Sequence, residues 1–419
     1  MISDLIFFKN PKIVNKMKIK ISYLKLETNA AIVESVTVLI ILVKFLSLTI
    51  TTIAVAESCK IPAIYNFGDS NSDTGSDSSV FGRVSSPNGI TYFGKPSGRY
   101  CDGRLIIDFI AEELELPYLS SYLDAIEGNF RHGANFAAFG APIQPVNANI
   151  YGNLFNPLAL NIQLLQFQQL KERIGELRKQ ANSSINRSRL PRLEDFSKAL
   201  YTFDMGQNDI TIALASSTED QSREMIPKLI EYLASAIENV YQLGGRRFWI
   251  HNTGPIGCLP HSRNTWIGKF DAIGCVSSKN NVAQEFNRLL KQKVSELRVQ
   301  LQQSLLVYVD IYSAKYNLIR EAKQNGFIDS FSYCCEECRK YVPYWNRQVV
   351  NETEVHDTPC DNPSRYVFWE TVHYTEAANR WVANQIFDGS LSEPPIPISK
   401  SCAFEKANAK SNENSISVS

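Results

Sequence analysis

Residues 61–75 read IPAIYNFGDSNSDTG, an apolar run that gives way at once to a turn of small polar residues. The run 61–67 is typical of a strand buried in a parallel sheet, and the small polar residues behind it end that strand. Reacting groups of open parallel sheets gather at the carboxyl ends of the strands. We therefore expect Ser70 to expose its hydroxyl at the active edge of such a sheet.

Strand and helix patterns alternate along the rest of the chain. Three more apolar runs predict buried strands, at 199–205, 247–251 and 305–310, and a weaker fifth strand is predicted near residues 132–138. Between the runs, apolar residues recur at helical spacing in three segments: 162–177, 225–240 and 282–301. This alternation predicts an α/β fold, with a parallel sheet covered by helices on both faces.

The two ends of the chain differ in composition from its middle. A lysine-rich leader precedes two apolar stretches, and the small residues 54–56 fit the rule for signal peptidase. We predict a signal peptide with an extended basic leader over 1–56; the alternative is an uncleaved N-terminal anchor. After cleavage, no stable membrane association is expected. Residues 57–402 are predicted to form one domain, and 403–419 a disordered polar tail.

Charge, cysteines and sequons indicate the class of protein. Lysine plus arginine and aspartate plus glutamate both number 43, which argues against nucleic acid as a partner. All nine cysteines follow the predicted cleavage point, so disulfides are expected, with at least one thiol left over. A zinc site is the weaker alternative for one cluster, formed by Cys334, Cys335, Cys338 and Cys360. Glycosylation is predicted at three Asn-X-Ser/Thr sequons: Asn182, Asn186 and Asn351.

A serine nucleophile needs a base, and the base needs a third group that holds its tautomer. His373 has a carboxylate three residues earlier, Glu370, and in a turn these two positions fall on the same side. Glu370 could therefore bind one ring nitrogen while the other faces Ser70. His251, at the end of a predicted strand, is the alternative base.

The negative oxygen of a tetrahedral intermediate needs preorganised hydrogen-bond donors. Asn208 follows the strand 199–205 through Gly206, so its amide could reach the edge where Ser70 is expected. Gly140 could offer a backbone N–H with no side chain in the way. Taken singly, each of these residues is more typical of an ordinary turn.

Together these residues give the chain a family resemblance. It resembles the plant GDSL esterase/lipases of the SGNH-hydrolase superfamily, in particular the acetylesterase and early-nodulin-like subtype. The four family blocks match residues 67–75, 133–140, 206–209 and 369–379, and the likeness extends over about residues 61–402.

The resemblance implies a flavodoxin-like three-layer α/β/α sandwich with a parallel sheet of about five strands. It implies Ser70 as nucleophile, His373 as base with Glu370 behind it, and an oxyanion hole made by Ser70, Gly140 and Asn208. No cofactor and no metal are implied. Glu370 stands where the family has Asp, and the neighbours of Gly140 are larger and less polar than the family's.

The expected function is that of a secreted serine esterase. It would hydrolyse acetyl or other acyl esters of a small molecule or a polysaccharide through an acyl-serine intermediate, in the cell wall or apoplast, with the vacuole as the alternative location. One alternative function is an acyltransferase on the same scaffold. The other is a catalytically weakened wall protein that binds glycans or lipids. The sequence does not specify the oligomeric state.

Overall fold

The strand predicted at 61–67 is strand β1, Ile64–Gly68, and all five of its residues are buried. The structure is a computed structural model that describes residues 60–126, 128–145, 156–180, 187–265, 268–336, 338 and 358–403. The predicted leader 1–56, the tail beyond residue 403 and the sequons at Asn182, Asn186 and Asn351 lie outside these residues. The described residues belong to one compact unit.

Six strands form a single sheet in the order β2-β1-β3-β4-β5-β6. The first five run parallel and the last is antiparallel. Besides β1, they are β2 Gly133–Asn135, β3 Leu200–Asp204, β4 Arg247–His251, β5 Leu305–Val309 and β6 Ser392–Glu393. The five predicted strands are confirmed. The sequence did not predict β6, because two half-buried polar residues carry no strand pattern.

Ten helices surround the sheet within the described residues. They are α1 Ser76–Phe81, α2 Ile106–Glu113, α3 Leu160–Lys179, α4 Asp195–Lys198, α5 Gln207–Ser216, α6 Glu219–Gln242, α7 Pro260–Thr265, α8 Ser277–Gln300, α9 Ile311–Arg320 and α10 Glu376–Ile386. Short 3₁₀ turns lie at Arg187–Arg189, Ile256–Cys258, Pro363–Arg365 and Ile398–Ala403. The predicted α/β fold is confirmed. No helix among these residues is both long enough and apolar enough to span a bilayer.

The register of the sheet brings the strand ends to one edge. Gly68 pairs with Asp204, Asp204 with His251, and His251 with Val309, so four parallel strands finish side by side. The loops that follow these strands therefore meet at that edge, as expected for an open parallel sheet.

Aromatic side chains fill the core beside β1. Tyr65 and Phe67 project to the same face because side chains alternate along a strand. The Phe67 ring stacks on Phe203 at 5.0 Å between centroids and on Phe136 at 5.3 Å, and Phe167 of α3 meets it edge-on. This apolar packing fixes the strand that carries Ser70.

Helix α3 buries a face that differs in part from the predicted one, since Leu170 and Ile174 are buried as expected but Leu165 is not. The apolar spacing included Leu165, which is 52% exposed, whereas Gln163 is fully buried. The Gln163 amide accepts from the Gly68 N–H at 3.0 Å and donates to the Gly68 carbonyl at 2.9 Å. A polar side chain therefore completes the hydrogen bonding at the end of β1, which a hydrophobic pattern does not reveal.

The cysteines are paired as disulfides, as predicted. Bonds join Cys258 to Cys275, Cys334 to Cys360, and Cys335 to Cys338. Cys402 is also disulfide-bonded, and Cys101 is a buried free thiol. The zinc alternative is wrong, because all four of its cysteines are in disulfides.

Candidate active site

Ser70 lies two residues beyond β1, at the edge where the strands end. The Asp69 N–H donates to the Asp204 carbonyl of the neighbouring strand at 3.2 Å, and the Ser72 N–H closes the turn on the Asp69 carbonyl at 3.1 Å. Glycine is favoured at position 68, since a Cβ there would lie 2.1 Å from Ser72 Oγ and 3.1 Å from the Asp204 carbonyl oxygen. The turn therefore holds the Ser70 hydroxyl in a defined position.

The structure brings Ser70, His373 and Glu370 together in series. His373 Nε2 lies 2.7 Å from Ser70 Oγ, although 303 residues separate the two along the chain. His373 Nδ1 makes a short hydrogen bond with Glu370 Oε1. All three side chains are buried: Ser70 is 3% exposed, Glu370 3% and His373 7%.

The pairing fixes the tautomer of His373. A carboxylate only accepts hydrogen bonds, so Nδ1 carries the ring proton and Nε2 is left to accept the Ser70 hydroxyl proton. The rings of Tyr100 and Phe139 pack 6.0 Å and 5.9 Å from the imidazole. The imidazole is therefore oriented by Glu370 and packed against these two rings.

The turn that carries Glu370 and His373 is held by backbone bonds. Glu370 Oε1 accepts from the His373 N–H at 2.8 Å, and Oε2 accepts from the Val372 N–H at 3.0 Å. Thr375 then caps α10 by accepting from the Ala378 N–H at 3.2 Å. Glu370 thus shapes its own turn as well as binding the imidazole.

The predicted oxyanion donors lie on the wall of one cavity with Ser70. Gly140 has φ +69°, in the left-handed region that favours glycine. Among the described residues, the N–H groups of Ser70 and Gly140 have no hydrogen-bond acceptor. Asn208 Nδ2 donates to Asp69 Oδ2 at 3.3 Å and to the Ala141 carbonyl at 3.1 Å. Two N–H groups that have no acceptor within the described residues, and one side-chain amide, therefore belong to residues that line the same cavity as Ser70.

Asp73 joins the serine loop to the Gly140 loop, a role that the sequence analysis missed. Its Oδ1 accepts from the N–H groups of Gly75 and Ser76 at 2.7 Å each, and its Oδ2 accepts from the Phe139 N–H at 2.9 Å. Burial and the nearby Asp77 raise the pKa of Asp73 to about 7. The available signal was an aspartate two residues before Gly75, since aspartate side chains bind backbone N–H groups two residues on.

The alternative base, His251, does not reach Ser70. It is 4% exposed at the end of β4, with Nδ1 3.7 Å from Asp204 Oδ2. Neither ring nitrogen has a hydrogen-bond partner within the described residues. The structure thus places His373, and not His251, against the serine.

A cavity of about 370 Å³ opens beside Ser70. One face of α5 lines it, because Asn208, Thr211, Ile212 and Ala215 recur at helical spacing. Leu259 and Val372 add apolar surface, and further lining comes from Asn88, Tyr100, Phe139, Gln207, His261, Ser262 and Cys338. The volume is of the size that accommodates a small organic molecule.

The chain is similar to a family of known proteins over most of its length. Residues 64–386 match the family profile described as GDSL-like Lipase/Acylhydrolase. A GDSL esterase/lipase of Arabidopsis thaliana is 47% identical over 358 residues, which cover 84% of this chain and 92% of that protein. Alpha-L-fucosidase 3 of Arabidopsis thaliana is 46% identical over 344 residues, 80% of this chain and 92% of that protein. The GDSL esterase/lipase ENOD8 of Medicago truncatula is 40% identical over 351 residues, which cover 83% of this chain and 91% of that protein.

Proposed function

This chain belongs to the GDSL-like lipase/acylhydrolase family and is a carboxylic-ester hydrolase, and from that premise we propose that Ser70 is its nucleophile, His373 its general base and Glu370 the group that orients the base. The observation that carries this proposal is the continuous series from Ser70 Oγ through His373 to Glu370, with 2.7 Å between Oγ and Nε2. Such a series is what activates a serine hydroxyl.

Acylation is the first half of the reaction. His373 Nε2 takes the Ser70 hydroxyl proton while Oγ bonds to the ester carbonyl carbon, and Glu370 stabilises the resulting imidazolium. When the tetrahedral intermediate collapses, the bond to the leaving alcohol breaks and His373 donates its proton to that oxygen. An acyl-serine remains.

Water completes the cycle by the same proton transfers. His373 removes a proton from water as the water oxygen attacks the acyl carbon, and it returns the proton to Ser70 Oγ when the acyl-oxygen bond breaks. The products are a carboxylic acid and the regenerated serine.

Three donors would stabilise the oxyanion in both halves. The N–H groups of Ser70 and Gly140 have no acceptor in the described structure, so a carbonyl oxygen can bind them without displacing anything. The Asn208 amide is already bonded to Asp69 and to the Ala141 carbonyl. We propose that the Asn208 N–H that donates to the Ala141 carbonyl donates to the oxyanion instead when the oxyanion forms. The bond to Asp69 is kept, because a hydrogen bond to a carboxylate is the stronger of the two.

The proposed substrate is an acetyl or other acyl ester of a small molecule or a polysaccharide, handled outside the cytosol. The disulfides among the described residues support secretion, since such bonds persist in oxidising compartments. We place the enzyme in the cell wall or apoplast, with the vacuole as the alternative. Transfer of the acyl group to a bound alcohol would use the same acyl-serine, so product analysis with and without added alcohol distinguishes the two reactions.

Replacing Ser70 tests the function directly. We expect Ser70→Ala to lower ester hydrolysis by at least about a thousandfold and to abolish labelling by a fluorophosphonate probe. Ser72→Ala is the matched control: it lies in the same turn, and its hydroxyl is buried without a hydrogen-bond partner in the described structure. Full activity of Ser70→Ala, or labelling that survives the substitution, would show that another residue is the nucleophile. A well-folded protein that neither hydrolyses esters nor takes the probe would be the glycan- or lipid-binding wall protein.

A further inference from the structure

A buried lysine lies behind the serine loop and has no part in the proton transfers described above. Lys315, in the second turn of α9, is only 3% exposed. Burial lowers the pKa of Lys315, and the Asp204 and Asp69 carboxylates counter that effect. Burying an ammonium group costs desolvation free energy unless nearby polar or charged groups compensate for it, so a buried lysine at this position calls for a functional or structural reason.

Lys315 is connected to the serine loop through Asn71. Its Nζ donates to Asn71 Oδ1 at 3.3 Å and lies 4.6 Å from the centre of the Tyr374 ring. Its aliphatic stem passes Gly254, where a Cβ would come within 3.0 Å of Lys315 Cδ. The ammonium therefore contacts the residue that directly follows Ser70.

Asn71 passes the contact on to the proposed oxyanion donor. Its side-chain amide donates to Asp69 Oδ1 at 2.8 Å, and its backbone N–H donates to the same oxygen at 2.9 Å. The other oxygen, Asp69 Oδ2, accepts from Asn208 Nδ2 at 3.3 Å. A continuous chain of hydrogen bonds thus runs from Lys315 through Asn71 and Asp69 to Asn208, and Asn71 and Asp69 flank Ser70.

We propose that Lys315 is a positioning residue for the oxyanion hole: through Asn71 and Asp69 it holds the Asn208 amide and the Ser70 turn in their reactive arrangement. The inference rests on the proposed function, because it assigns Asn208 a role in that reaction. Lys315 itself touches neither the substrate nor Ser70 Oγ.

Lys315 can influence Asn208 because the Asn208 amide donates more strongly to Asp69 when the Asp69 carboxyl group is ionised. Burial and the neighbouring Asp204 raise the pKa of Asp69 to about 6, and Lys315 and the Asn71 bonds work against that rise. Asp209 of α5 also interacts electrostatically with Asp69, and His251 Nδ1 lies 3.7 Å from Asp204 Oδ2. Without the ammonium, Asp69 would hold a proton at higher pH and accept less strongly from Asn208. A donor displaced by about 1 Å can cost a hundredfold in rate.

Lys315→Met tests the proposal, because methionine keeps the stem and removes the charge. With an ester substrate we expect kcat to fall about 10- to 100-fold while KM stays within about twofold, since the donor acts mainly in the transition state. The acidic limb of the kcat profile should also move to higher pH. The matched control is Lys279→Met, which removes another buried lysine, in α8, and should leave kcat unchanged.

A second comparison, between Asp204→Asn and the double variant Asp204→Asn with Lys315→Met, distinguishes an effect of positioning from an effect of charge balance. It also covers the case in which Lys315→Met alone folds poorly. Asp204→Asn combined with Lys315→Met removes one charge of each sign and restores the wild-type net charge of the cluster. The proposal expects Lys315→Met to lower kcat about tenfold or more in the Asp204→Asn background as well, because the positioning bond from Lys315 to Asn71 is lost even where the Asp204 charge is absent. An unchanged kcat in that background, or in the single variant, would overturn it. Failure of the proposed function looks different: wild type and Ser70→Ala would then hydrolyse the ester equally.

Discussion

Glu370 acts on His373 in two ways. Its Oε1 binds both the Nδ1 atom and the backbone N–H of the histidine, so one oxygen sets the tautomer and the turn together. The second oxygen, Oε2, accepts from the Val372 N–H, which leaves the carboxylate little freedom to rotate. Charge and geometry at this residue can therefore be separated by substitution.

Glutamine at position 370 should show what the charge contributes. Glu370→Gln preserves the shape of the side chain, but one end of it becomes a donor that repels an N–H, so the wrong tautomer of His373 is favoured. We expect kcat to fall about 10³- to 10⁴-fold. Glu370→Asp is the matched control, because it keeps the charge and can accept the same backbone N–H groups; it should stay within about tenfold of wild type. Steady-state kinetics on one ester measure both effects. If Glu370→Gln has the same kcat as Glu370→Asp, the carboxylate of Glu370 does not have its proposed role.

The sequence predicted part of this residue-scale arrangement. Glu370 and His373 are three positions apart in a turn, so their contact follows from local geometry. The bonds between Asp69 and Asn208 join residues 139 apart and depend on how β1 and β3 pair, which no local pattern specifies. For the same reason, the link from Asp73 to the Phe139 N–H was not predicted.

Helix α5 joins the reaction site to the substrate cavity. Its first turn carries Asn208, and the same face continues through Thr211 and Ile212 to Ala215, which is exposed. At 1.5 Å per residue, this face extends about 10 Å from the oxyanion donor. The helix therefore lines the cavity over this length, starting at the proposed oxyanion donor.

Narrowing the cavity at α5 should change selectivity for ester length. We expect Ile212→Trp to lower kcat/KM for p-nitrophenyl octanoate by about tenfold relative to p-nitrophenyl acetate, since a lost methylene contact costs about 1–3 kcal/mol. Ser216→Trp, on an exposed part of the same helix outside the cavity lining, is the matched control. An unchanged octanoate-to-acetate ratio would mean that the acyl chain does not run along α5.

Elements with a clear hydrophobic period were predictable, and those positioned by polar contacts were not. The apolar runs of β1, β3, β4 and β5 are buried on both faces, so the strand pattern is continuous. In α3 the buried residues include the polar Gln163, which binds the backbone at Gly68. Strand β6 exists because Ser392 and Glu393 pair with Val309 and Tyr308. Both cases depend on a partner that is distant in sequence.

At the scale of the whole molecule, the site depends on sheet topology. Four parallel strands, β1, β3, β4 and β5, end side by side at one edge, where the turn after β1 supplies Ser70 and the helix start after β3 supplies Asn208. This edge also collects buried carboxylates: Asp69, Asp73 and Asp209 are each at most 1% exposed. The fold therefore buries acidic groups around the proposed nucleophile, and the stability of the folded state should depend on pH.

We expect the melting temperature to fall between pH 5 and pH 8. Burial raises the pKa of Asp73 and Asp209 to about 7 and that of Asp69 to about 6, whereas the unfolded chain has values near 4. Between these pH values the folded state thus binds more protons than the unfolded chain. The contribution of these groups to the free energy of unfolding is therefore fully present below about pH 4 and is lost as the pH rises through about 7. General charge repulsion predicts the opposite trend, since the net charge is zero at pH 7 and grows in acid. Scanning calorimetry across this range decides between them. Asp209→Asn should have a shallower decline than wild type, and a melting temperature that rises toward pH 8 would contradict the raised pKa values.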